Sequence, residues 1–63
     1  MPNSAEIIER AVNDFQKVQR HMKIAKKENA VETYESLKED YISLKVVLNS
    51  LGVNLTDIDK IKE

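Results

Sequence analysis

Two stretches of this chain carry the same apolar pattern, and the distance between them limits what the chain can fold into. With Asn3 laid on Asn29, Ile8, Ala11, Phe15, Val18, Met22 and Ala25 fall on Tyr34, Leu37, Tyr41, Leu44, Leu48 and Leu51. Each set steps by three and four, the spacing of a helix face that packs on another helix. The offset from Asn3 to Asn29 is 26 residues, whereas one unbroken heptad seam needs a multiple of seven, about 28 at this length. The two seams therefore do not join along one straight helix. A turn is expected near Glu28 and Asn29, giving an antiparallel hairpin. The competing arrangement is a single kinked helix, because KKENAV contains neither Gly nor Pro.

Each expected helix opens in the same way. Asparagine is a favoured helix cap because its side-chain oxygen accepts an orphan N–H of the first turn, and an acidic residue three positions on favours the positive helix end. Asn3-Ser-Ala-Glu6, Asn29-Ala-Val-Glu32 and Asn54-Leu-Thr-Asp57 all fit. They predict two long helices over 4–27 and 30–51 and a short C-terminal helix over 55–62. Lys26 and Lys27 complement the negative end of the first helix. Gly52 can take the left-handed conformation that closes the second, with Val53 turning back toward Leu48. Val53 and Ile58 then bracket the third start as a hydrophobic staple.

Composition narrows the class further. At 63 residues the chain is read as one all-α domain over 1–63, and chains of this size bury only ~60% of their unfolded surface. It has no cysteine and one histidine, which leaves no thiolate site and no usual zinc or di-iron ligand set. No apolar run approaches the ~18 residues of a membrane span. MPNSAEIIER also lacks the basic start and apolar core of a secretion signal. A cytoplasmic, soluble protein is expected. The net charge of −1, with 33% of residues charged, exerts no global pull toward nucleic acid. Its wealth of Lys, Ile and Asn suits a small bacterial or phage protein.

The stretch YISLKVVLNSLGV carries more apolar surface than one neighbouring helix can cover. Tyr41, Leu44, Leu48 and Leu51 take the seam. At roughly 100° per residue, Ile42 and Val46 point away from it and Val47 lies on a flank. A helix apolar on nearly every side is normally buried on nearly every side. Either the C-terminal residues Leu55, Ile58 and Ile61 fold back over Ile42 and Val46, or a second chain covers them. A homodimer forming a coiled-coil-like four-helix bundle is the expected assembly. Ile42, Val46, Val47, Leu55, Ile58 and Ile61 are the candidate oligomer or partner interface.

Other candidate sites weigh less. Lys17, Arg20, Lys23 and Lys27 make the second half of the first helix basic and are the candidate contacts to phosphate. The run Glu28, Glu32, Glu35, Glu39 and Asp40 nearly cancels them. His21 has no second ligand to share a metal. Tyr34 and Tyr41 stand at seam positions, where tyrosines are core residues with a polar tip. Ser36, Ser43 and Ser50 form a polar stripe. Glu35 and Glu39 lie one turn apart without a sheltered pocket to tune them, and Asp57 and Asp59 lack the spacing of a calcium loop. No phosphate-cradling glycine loop and no nucleophile with an attendant base are present. No catalytic, cofactor or metal residue is assigned.

Within ENAVETYESL, Ala30, Tyr34 and Leu37 resemble the second helix of a tetratricopeptide repeat. The likeness covers some ten residues, and the preceding helix offers neither the repeat's aromatic start nor its small residue. A lone repeat is also unstable, so no family follows. The expected function is a non-catalytic interaction module, a regulator, adaptor or inhibitor that pairs with itself and docks on an unidentified protein. The alternatives are a small nucleic-acid-binding protein using the basic half of helix one, and an oligomer holding a ligand between chains near Tyr34 or Tyr41.

Overall fold

Helix start, seam and stop signals yield two helices where the spacing placed them. The computed structural model describes residues 4–62, with α1 over Ser4–Lys27 and α2 over Val31–Ser50 and no strand among the described residues. The chain is an all-helical hairpin. Glu6 stands in the first turn of α1 and Lys26 and Lys27 in its last, each complementing the helix end it occupies. The cap expected at Asn3 lies outside the described residues.

The seam buries as its spacing requires. Ala11, Phe15, Val18 and Met22 of α1 meet Tyr41 and Leu48 of α2, with Tyr34, Leu37 and Leu44 half-buried beside them, and Ala25 is also buried. Phe15, Met22, Tyr41 and Leu48 are wholly out of water. The rings of Phe15 and Tyr41 stack at 5.2 Å between centroids and 18° between planes, an offset geometry that adds to their area burial.

The turn forms where expected, but Asn29 plays a different part in it. Asn29 does not cap α2. Ala30 occupies that position without any side-chain cap bond, and Asn29 sits in the left-handed region at φ 58. The Ala30 N–H reaches the Ala25 carbonyl at 2.8 Å and the Asn29 N–H reaches Lys26 at 3.2 Å, the paired bonds of a Schellman motif. Asn is the residue besides Gly that tolerates this conformation. Gly52 ends α2 identically at φ 79. Its N–H reaches Asn49 at 3.1 Å and that of Val53 reaches Leu48 at 3.0 Å.

One substitution separates the two roles. Asn29→Gly is expected to raise the urea midpoint, and Asn29→Ala to cost about 1 kcal/mol through left-handed strain. An N-cap would instead lose a few tenths of a kcal/mol on going to Gly.

The expected helix over 55–62 is replaced by an irregular tail, residues 53–62, with a single turn at 56–58. The turn begins as a helix would. The Thr56 N–H bonds to Asn54 Oδ1 at 2.9 Å, and the Asp59 N–H bonds to the Leu55 carbonyl at 2.8 Å. It then stops, because the next three amides find side chains instead of helical carbonyls. Lys60 and Ile61 donate to Gln19 and Lys62 donates to Asp59. Val53, Leu55, Ile58 and Ile61 pack half-buried on the hairpin core. The molecule measures 40 × 24 × 14 Å along its principal axes, a flat shape of two helices and one strap.

Candidate interaction site

The hairpin has two long sides, and the tail fills only one of them. Gln19, 3% exposed, anchors the filled side. Its amide nitrogen donates to the Ile58 carbonyl at 2.8 Å, and its oxygen accepts from Lys60 and Ile61 at 2.5 and 3.1 Å. One side chain thus satisfies three backbone groups of an irregular segment, which cannot pair with themselves.

The second anchor is Asp59, 8% exposed. Its Oδ1 accepts the Tyr41 hydroxyl at 2.5 Å and the Lys62 N–H at 2.8 Å, and its Oδ2 lies 3.2 Å from Lys45 Nζ. Lys45 also sits 5.1 Å from the centroid of the Tyr41 ring, within cation–π range. Burial opposes the Asp59 charge and is the largest single influence. The bonds from Tyr41, Lys62 and Lys45 outweigh it and hold the carboxyl below its ordinary value. Burial likewise opposes the Lys45 charge, and Asp59 with Tyr41 reverses the balance and raises it. Every polar group of this network has a partner, and it acts as a latch.

The opposite side is an open groove. Three adjoining cavities of about 250, 340 and 330 Å³ share Asp14 and Leu44 at one junction and His21 and Leu37 at the other. No residue of the tail lines them. Lys17 and Asp40 flank the middle cavity, and Ile7 and Ile24 stand at the two ends.

The sequence-derived candidates separate on this frame. Ile42 and Val46 remain exposed, at 48% and 62%. They lie roughly 160° around α2 from the groove residue Leu44, at 100° per residue. The tail does not cover them. Val47, 45% exposed, lies on the groove flank. Leu55, Ile58 and Ile61 are taken up by the chain's own core. Among the basic candidates, Lys17 belongs to the groove, while Arg20, Lys23 and Lys27 stay on the exposed outer side of α1. Tyr41 is sealed inside its own chain and lines no ligand space. Tyr34 is half-buried at a cavity of about 240 Å³ beside the turn.

Sequence reading passed over Gln19 and Lys45, and weighed Asp59 only as a calcium ligand. Gln19 carried one faint signal, its position four residues after Phe15 and three before Met22 on the edge of the seam. Among the described residues no group of three potential metal ligands converges, and no helix is long and apolar enough to cross a membrane. No protein-family model, curated protein or solved structure matches this chain.

Proposed function

We propose that this chain is a non-catalytic helical interaction module, a small cytoplasmic regulator, adaptor or inhibitor that pairs with itself and docks on another protein. The observation that carries the reading is the pair Ile42 and Val46. They stand one turn apart, outside the intrachain seam, and neither α1 nor the tail shields them. Two large aliphatic side chains held in water on a rigid helix face suit a surface with a partner. A helical face of this kind seats against an apolar groove or another helix, reading out residues at one-turn spacing.

Affinity capture from the native cell tests it. Wild-type chain is expected to retain a protein that an Ile42→Glu, Val46→Glu variant of unchanged helix content does not, since buried charges without partners are not tolerated. The second reading, phosphate contact, has the exposed Arg20, Lys23 and Lys27 in its favour. It predicts that nucleic acid is retained instead, released by salt and lost when those three are reversed to Glu. Capture indifferent to Ile42 and Val46 removes the ground for the first reading.

A further inference from the structure

We infer that two copies of this chain associate face to face through the groove the tail leaves open, with α1 of each copy lying over α2 of the other. The inference rests on the self-pairing part of the proposed function and on none of its docking part.

The two walls of the groove differ in size in a way that makes the face complementary to itself. On α1 the apolar residues at the groove are Ala11, Val18 and Ala25, spaced by seven, small and each less than a tenth exposed, and Arg10, Asp14, Lys17 and His21 line the same cavities. On α2 they are Leu37 and Leu44, also spaced by seven and large, and Leu51 continues that spacing just past the end of α2 without lining these cavities. A two-fold axis parallel to the helices lays the small wall of one copy on the large wall of the other, and does so twice. Leucine knobs then enter the spaces that the alanines leave, as in an antiparallel four-helix bundle. A two-fold axis across the helices would set alanines on alanines and leucines on leucines.

The exposed side chains agree with the first axis. Ile7 at 47%, Val47 at 45% and Leu51 at 37% are among the large hydrophobics left in water. The start of α1 adjoins the end of α2, so this axis brings Ile7 of each copy onto Val47 and Leu51 of the other. At mid-height, Lys17 and Asp40 flank the same cavity from opposite walls. Paired copies place Lys17 of one over Asp40 of the other, so that opposite charges alternate around the junction. Ile42 and Val46 stay outside and free for a different partner.

Sedimentation and crosslinking test the assignment. The wild-type chain at high micromolar concentration is expected to sediment at twice 7.2 kDa. Ile7→Glu with Val47→Glu, both at exposed positions, should weaken the dimer roughly 100-fold or more and leave the helix signal intact. Ile42→Glu with Val46→Glu should leave the dimer whole. The chain has no cysteine, so single-cysteine copies can be mixed. Ile7→Cys with Leu51→Cys should form a mixed disulfide, and Ile7→Cys with Ile24→Cys should not. A dimer that ignores the groove charges but splits on the Ile42 and Val46 charges overturns the groove while self-pairing stands. A preferred Ile7–Ile24 crosslink overturns the axis. A monomer throughout overturns both the groove and self-pairing.

Discussion

A Gln19→Leu chain is expected to lose its tail before it loses its hairpin. Leucine matches glutamine in volume, so the site stays filled, but three groups go unpaired together: the Ile58 carbonyl and the Lys60 and Ile61 amides. A buried polar group left without a partner costs about 1–3 kcal/mol. Among the described residues the apolar hold on the tail comes from half-buried side chains, Val53, Leu55, Ile58 and Ile61. Detachment returns the three groups to water and limits the loss to the docking energy of the tail. That loss should be roughly 2–4 kcal/mol, a large part of the 3–9 kcal/mol or so that a chain of this length commands. Hydrogen exchange separates local from global loss. The Lys60 and Ile61 amides should exchange freely while those inside α1 and α2 stay protected. Gln19→Glu keeps the acceptor but not the donor and should fall between leucine and wild type. Protected Lys60 and Ile61 amides in Gln19→Leu, with an unmoved urea midpoint, would show that the amide does not hold the tail.

The hairpin was legible because helix packing leaves a local, periodic trace. Ala11, Phe15, Val18, Met22 and Ala25 are buried one after another along α1, and the offset between the two seams placed the turn. The role of Asn29 was not legible, for a physical reason. The short polar side chain that makes asparagine a good cap also lets it take left-handed backbone. A position between two helices rewards either property. Gly52 carries no such ambiguity, since glycine has no side chain with which to cap, and its Schellman motif was read correctly.

The tail was legible only in its first half. Asn54 and Val53 announce a helical turn, and one turn forms. What ends it is supplied from far away in the chain, by Gln19 some 41 and 42 residues before Lys60 and Ile61. Sequence periodicity describes a helix against a generic neighbour and holds no record of one side chain reaching across the fold. The same limit applies to the candidate site. That Ile42 and Val46 point away from the seam followed from helix angles alone, whereas their exposure depends on the course of the tail. The division into a latched side and an open groove depends on where the tail lies, which Leu55, Ile58 and Ile61 do not fix by spacing.

Removing the carboxylate of Asp59 should be as damaging as removing Gln19, and it should change how stability depends on pH. In Asp59→Ala the hydroxyl of Tyr41, a residue with no exposed surface, loses its acceptor, and Lys45 loses its counter-ion. Lys45 keeps 27% of its side chain in water, so solvent screens part of that pair, and the lost bond from the buried Tyr41 hydroxyl carries more of the cost. A total of roughly 2–4 kcal/mol is expected. Asp59→Ala with Tyr41→Phe removes both ends of the bond and should cost less than the two changes added separately, the mark of a direct coupling. The pH dependence follows from the directions of the two shifts. Asp59 is held below 3.8 in the folded chain, so its contribution is complete above the unfolded value and lost as pH falls through the folded one. Lys45 is held above 10.5, so its contribution is complete below that value and lost as pH rises through the folded one. The tail should therefore be most firmly docked between about pH 4 and pH 10. Urea midpoints measured down that acid limb should fall steeply for wild type and far less for Asp59→Ala, which has no carboxylate left to protonate there. Equal slopes for the two chains would place the acid sensitivity elsewhere and remove Asp59 as the latch.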